Sequence, residues 1–183
     1  MKRWLHTEFQ DTFPVACIMK HRLPRLWMRV HSLPNSKRYP ESDEERDIIF
    51  SRYALFGTAL LGVKTPCYIV RSQFHDAELD AKARGSLDWE PLPAVRESED
   101  EEPDGGVWHS WCAEVVWQPN RFRGLLLDVA EEQDSGVSFV AKSSGNMFAP
   151  YDGGSDGFSF DLALLKRLKH EFEPWLSPRD DGL

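Results

Sequence analysis

The side chains best equipped for chemistry fall in two polar stretches far apart in the chain. Ser-Leu-Pro-Asn-Ser-Lys-Arg-Tyr-Pro at 32–40, preceded by His31, supplies Ser36, Lys37, Arg38 and Tyr39. Tyr-Asp-Gly-Gly-Ser-Asp-Gly at 151–157 supplies Tyr151, Asp152 and Asp156. Adjacent Lys and Arg offer a point charge and a planar fork, the donors that grip a carboxylate or phosphate. Asp152 or Asp156 could then serve as base or metal ligand. The same residues could instead satisfy one another, with Lys37 or Arg38 pairing Asp152 or Asp156 to clamp two loops. The clamp is the simpler reading, because no nucleophile or metal-binding set accompanies the pair.

Other motifs exclude more than they suggest. His6, His21, His31, His75, His109 and His170 stand in no HxH, HExxH or Cys/His spacing, so a zinc site has little support. Asp-Gly-Gly-Ser-Asp-Gly at 152–157 has the outline of a calcium loop. Its third position is Gly154, however, and its twelfth is Ala163 rather than a bidentate Glu. There is no phosphate loop ending in Gly-Lys-Ser/Thr, no dinucleotide fingerprint and no nucleophile elbow. No catalytic residue and no cofactor is therefore assigned. Enzymatic activity stays open, with the balance toward a non-enzymatic role.

The totals bound the class. A chain of 183 residues with 41% hydrophobic and 12% aromatic side chains can build one domain, spanning 1–183, with a sizeable aromatic core. A net charge of -8 argues against a general nucleic-acid binder. The charge is uneven: residues 1–40 carry eight basic and two acidic side chains, a net of +6 that leaves -14 elsewhere. Cys17, Cys67 and Cys112 are few and widely spaced, which suits a reducing compartment. No signal-peptide run and no stretch near the ~20 apolar residues of a membrane span is present, so a cytoplasmic setting is expected.

Several elements must position the two polar stretches. Short helices are expected at 7–13 and 15–21, and a strand at 26–32. Its alternation puts Leu26, Met28 and Val30 on one face, and Trp27, Arg29 and His31 on the other. Ser42-Asp-Glu-Glu45 reads as a capping box opening a helix that carries Ile48, Ile49, Tyr53, Leu55, Phe56, Ala59 and Leu60 and stops at Gly62. A strand follows at 65–74. Residues 75–106 then hold few apolar side chains and three prolines, and 97–104 packs six acids into eight positions. That composition reads as a mobile surface insertion, with docking of a basic partner as its sharper use.

Strands are expected at 107–117, with Trp111, Ala113, Val115 and Trp117 on one face, and at 137–141, with Val137, Phe139 and Ala141 together. A helix at 122–132 separates them. Residues 147–151 and 157–160 read as strands around a glycine-driven reversal at 152–157. Asp161 caps a last helix whose inner face is Leu162, Leu164, Leu165, Leu168 and Phe172. Helices mixed with strands in this order predict an α+β two-layer sandwich, its sheet mixed or antiparallel, with about three main helices.

Arg-Val-His-Ser-Leu-Pro-Asn-Ser-Lys-Arg-Tyr-Pro at 29–40, Pro-Tyr-Asp-Gly-Gly-Ser-Asp at 150–156 and Trp-Leu-Ser-Pro-Arg-Asp-Asp-Gly-Leu at 175–183 together resemble an uncharacterised family of small bacterial proteins. The resemblance covers most of the chain outside 75–106 and implies a bacterial cytosolic protein with one intact domain. It carries no activity, cofactor or catalytic residue. The leading functional expectation is an interaction protein, immunity-type or regulatory, whose partner is another protein, a basic one suiting the acidic surface. The alternative is a small-anion binder or enzyme using the 31–40 and 150–157 loops.

Overall fold

A computed structural model describes residues 14–74, 85–96, 106–177 and 179. The expected helix at 7–13, the acidic run at 97–104 and most of the residues after 177 lie outside them. The fold is α+β. Eight strands form one open sheet: β1 (Trp27–His31), β2 (Pro66–Phe74), β3 (Glu90–Pro91), β4 (Val95–Arg96), β5 (Val107–Val116), β6 (Val137–Ala141), β7 (Met147–Tyr151) and β8 (Gly154–Phe158). Their order is β1-β8-β7-β6-β2-β5-β3, with β4 also on β5, and every pairing is antiparallel. Two short strands thus fall inside the stretch read as an insertion, and they extend the β5 edge.

Four helices pack on this sheet: α1 (Ala16–Arg22), α2 (Asp43–Leu61), α3 (Arg123–Ala130) and α4 (Leu162–Glu171). Helices α2, α3 and α4 cover one face. There the alternating apolar side chains Met28, Val30, Cys67, Ile69, Ala113, Val115, Val137, Phe139, Ala141 and Phe148 meet Ile49, Tyr53, Phe56, Leu126, Leu165 and Phe172. The centre is aromatic: Trp117 lies edge-on to Phe139 and Phe148, at 4.8 and 5.4 Å between ring centroids. The other face is also apolar in part, with Trp27, Tyr68, Val70, Val140, Met147 and Phe158, and α1 covers it through the fully buried Met19. Met28 and Val30, then Ala113, Val115 and Trp117, then Val137, Phe139 and Ala141 share the helical face as expected. Leu26 instead lies in a 3-10 turn at Pro24–Leu26 before β1, and His31, at the end of β1, shares a cavity with Arg52 of α2.

Local chemistry sets the helix ends. The Glu45 amide donates to Ser42 Oγ at 3.3 Å, and three acids occupy the first turn of α2, as the positive end of the helix dipole prefers. Glu45 does not return to the Ser42 amide as a full capping box would. Its carboxylate accepts from the Glu41 amide and Lys37 instead. Gly62 ends α2 at φ +96°, where only glycine sits without strain. The Asn146 side chain then donates to the Leu60 carbonyl at 2.9 Å, filling one of the acceptors a helix end leaves open. Ile48 and Leu55, expected on the helical core stripe, are exposed, as is Leu162. The buried face of α2 is Ile49, Phe50, Tyr53, Phe56, Gly57, Leu60 and Leu61.

The largest local departure is in the Asp/Gly stretch. The reversal between β7 and β8 takes only Asp152 and Gly153, and Gly154 is already paired with Tyr151. Asp156 is therefore inside a strand, not in a turn. Among the described residues the positive-φ glycines are Gly62, Gly85, Gly136 and Gly145, so the 152–157 glycines do not serve that purpose. They allow close approach. A Cβ on Gly154 would sit 2.2 Å from the Val30 carbonyl oxygen, and one on Gly157 would sit 2.6 Å from the Phe56 ring.

Candidate functional site

The hairpin β7–β8 and edge strand β1 bring the early and late polar stretches together. The Ser32 amide donates to the Gly153 carbonyl at 3.1 Å. Arg38 forms an ion pair with Asp152, and the Tyr39 hydroxyl donates to the same carboxylate at 3.2 Å. Lys37 turns away to Glu45 at 2.7 Å and Glu41 at 3.0 Å, beside the start of α2. These carboxylates raise the Lys37 and Arg38 pKa values, through hydrogen bonds first. Both cations thus have internal partners, the arrangement of a clamp.

Asp156 has different partners. Its Oδ1 accepts from Arg29 Nε at 2.8 Å and Trp27 Nε1 at 2.9 Å, and its Oδ2 from Arg29 Nη2 at 3.0 Å. Register explains the grouping, because Arg29 pairs directly with Asp156 across β1 and β8 and side chains of paired residues share a face. Burial works against the Arg29 charge, and the hydrogen bonds and charge of Asp156 more than restore it, leaving its pKa raised. The Arg29 guanidinium also lies 4.7 Å from the Tyr151 ring centroid. Burial pushes the Tyr151 phenol well above its ordinary range. The Tyr53 hydroxyl donates to the Tyr151 carbonyl, tying this hairpin to α2.

Tyr151 and Asp156 form one wall of a cavity of about 600 Å³ between the start of α1 and the open face of the sheet. Val15, Phe74, Trp108, Ala149 and Pro150 supply apolar walls, and Ser72, Ser138, Lys20 and Arg29 supply polar ones. Adjacent strands place these side chains by alternation: Val70 pairs with Ser138, and Ala149 with Asp156. Gly136 builds the rim. Its carbonyl accepts from the Ser72 amide at 2.9 Å, its φ is +67°, and a Cβ there would meet the Ser72 oxygen at 2.0 Å. Arg71, pointing to the helical face, holds the same loop through an ion pair with Asp134.

Three buried polar atoms of residues lining this cavity lack a hydrogen-bond partner among the described residues. They are the hydroxyl of Ser138, only 3% exposed, the indole nitrogen of Trp108 and the Gln73 side-chain oxygen. Ser72 is satisfied by Ser110 at 2.8 Å. Lys20 has no carboxylate partner among the described residues. Ser138, Ser72, Lys20 and Trp108 were not legible as a group, since they come from four elements separated by up to 118 positions. Arg29 had a usable signal: it alternates onto the face of Trp27. Its pairing with Asp156 needed the register.

His31 and Ser36 go elsewhere, to a smaller cavity of about 220 Å³ shared with Leu33, Asn35, Arg52 and Trp175. The eight candidates thus divide among the clamp, the α2 start and two cavities. No group of three or more His, Cys, Asp or Glu among the described residues could hold a metal ion. None of the three cysteines is in a disulfide, and burial pushes the Cys67 thiol up to about 11. No described helix is long and apolar enough to cross a membrane.

Comparison with known proteins finds no match among curated proteins and none among solved structures. A family model does match, over residues 15–180, and so takes in both cavities, the clamp and every strand of the sheet. The chain belongs to the family described as a domain of unknown function, DUF3885.

Proposed function

We propose that this domain binds a small, mostly apolar molecule with a polar head in the cavity between α1 and the sheet. The observation that carries this reading is the Ser138 hydroxyl, buried without a partner among the described residues on a cavity of about 600 Å³. A buried unpaired hydroxyl costs free energy unless water or a ligand meets it. A concave, largely apolar pocket with a few convergent polar groups is the usual form of a small-molecule site. Val15, Ala149 and Pro150 would contact the body of the ligand. Ser138 and Tyr151 would hydrogen-bond its head, and Lys20, which lines the same cavity as the already neutralised Arg29–Asp156 pair, favours an acceptor or anionic group there.

The rival role, recognition of a macromolecule, draws on the acidic run at 97–104, which lies outside the described residues. The cavity gives the small-ligand reading its specific support. The test is thermal unfolding of the full chain against a panel of aromatic and aliphatic carboxylic acids. A ligand at ~100 times its Kd adds about 2.7 kcal/mol, a midpoint rise of roughly 5–10 °C for a chain of this size. The rise should shrink in Ser138→Ala and vanish in Ala149→Leu, which fills the cavity. A hit that survives Ala149→Leu, or a panel without hits, would return the question to macromolecular partners.

A further inference from the structure

We propose a second site, for a carboxylate or phosphate group, in the smaller cavity where the end of β1, the 34–36 turn, α2 and the 173–175 turn meet. It does not rest on the ligand reading of the larger cavity, and it replaces Lys37 and Arg38 with a different cation. Three half-buried or buried arginines can be compared. Arg29 faces Asp156 and Arg71 faces Asp134, whereas Arg52 has no carboxylate partner among the described residues. Among the described residues it makes a hydrogen bond from Nη1 to the His31 carbonyl at 2.9 Å. Burial lowers its pKa, and no anion among the described residues opposes that. A partly desolvated guanidinium without a counter-charge is costly, and the cavity of about 220 Å³ beside it has room for one.

Three features suit that space to an oxyanion. The Arg52 guanidinium lies 4.9 Å from the Trp175 ring centroid, a cation–π contact that fixes its plane and leaves its remaining N–H groups to present a fork. His31 Nε2 is buried with no hydrogen-bond partner among the described residues, and His31 and Ser36 both line this cavity. Asn35 and Ser36 both sit at φ 56°, a left-handed conformation that non-glycine residues seldom hold at two consecutive positions.

His31 supplies a readout. Burial first, then the charges of Arg29 on its own strand and Arg52 on α2, hold its pKa down, and a hydrogen bond with Gly153 opposes them. No carboxylate is among the groups acting on it. The cavity therefore offers one cation and an imidazole whose neutral form is favoured by its surroundings. An oxyanion between them favours the imidazolium, so binding raises the His31 pKa. By linkage, the anion binds more tightly as pH falls through that pKa.

The experiment is NMR titration of the His31 imidazole in the full chain, assigned with His31→Gln, in sodium chloride, acetate or sulfate at equal ionic strength. Sulfate stands for a phosphate group while keeping its charge constant across the range. The expected result is a His31 pKa higher by about one unit, equivalent to tenfold tighter binding to the protonated form, in acetate or sulfate and not in chloride. Acetate alone would identify a carboxylate group, and sulfate alone a phosphate group. Arg52→Gln should abolish the shift and Arg52→Lys weaken it. An identical His31 titration in all three salts overturns the proposal in the unmodified protein, whether or not the Arg52 variants fold. So does a shift that persists in folded Arg52→Gln.

Discussion

A carboxylate in the middle of a sheet needs donors, and Asp156 has three of them from two residues of the neighbouring strand. Both members of the Arg29–Asp156 pair are largely withdrawn from water, with side chains 12% and 7% exposed. The pair therefore pays desolvation on both sides, which makes its net contribution small and the loss of one member severe. Asp156→Asn keeps the shape and an acceptor for Trp27 but leaves the Arg29 charge buried and unpaired. It should cost about 3–5 kcal/mol in urea unfolding. Arg29→Met with Asp156→Leu removes both charges and leaves Trp27 Nε1 without its acceptor, a penalty of about 1–3 kcal/mol. The double variant should thus be more stable than the single one. A double variant less stable than Asp156→Asn would mean that the pair is worth more than its desolvation cost.

At the scale of elements, the β7–β8 hairpin shows glycine used for space rather than for φ. Gly154 lets Tyr151 and β1 close over the strand, and Gly157 lets Phe56 of α2 press on the sheet. Gly154→Ala and Gly157→Ala should each cost about 1–3 kcal/mol through overpacking. Gly153→Ala should be nearly neutral, since its Cβ would meet the Tyr151 ring at 3.2 Å and Arg38 Cγ at 3.5 Å, and both side chains can move. Urea midpoints for the three variants check this, and a Gly153→Ala as damaging as Gly157→Ala would show that turn conformation matters more than packing. The same contrast explains what sequence could reveal. Ser42, Gly62 and the Met28/Val30 and Phe139/Ala141 alternations each act on their near neighbours, so their roles were readable. The Asp-Gly run was not, because a tight turn and a strand pressed against a helix have the same composition. What separates them is the Val30 carbonyl and the Phe56 ring, about 120 and 100 positions away. The clamp was half readable for the same reason: Arg38 and Asp152 have the right charges, but nothing local told Lys37 to choose Glu45.

Across the whole molecule, the two faces of the sheet are not protected alike. Strand β2 is flanked by β5 and β6, and its residues 67–72 are buried, while a long aromatic core backs it on the helical side. Among the described residues the helix on the opposite face is α1, a seven-residue helix that buries Ile18 and Met19. Such a helix is too short to persist by its own hydrogen bonds, so its stability comes from docking. Met19→Ala should remove about 2–5 kcal/mol of that docking, the usual range for a buried Met truncation. If α1 opens as its own unit, amide exchange in α1 will accelerate by close to the full amount while β2 amides keep their protection, and the global urea midpoint will fall by less than the truncation predicts. Because Val15 and Lys20 line the larger cavity from α1, that pattern would also mean that the cavity opens without unfolding the sheet. Equal loss of protection in α1 and β2 would instead place α1 in the global cooperative unit, and a ligand would then have to enter past a closed wall.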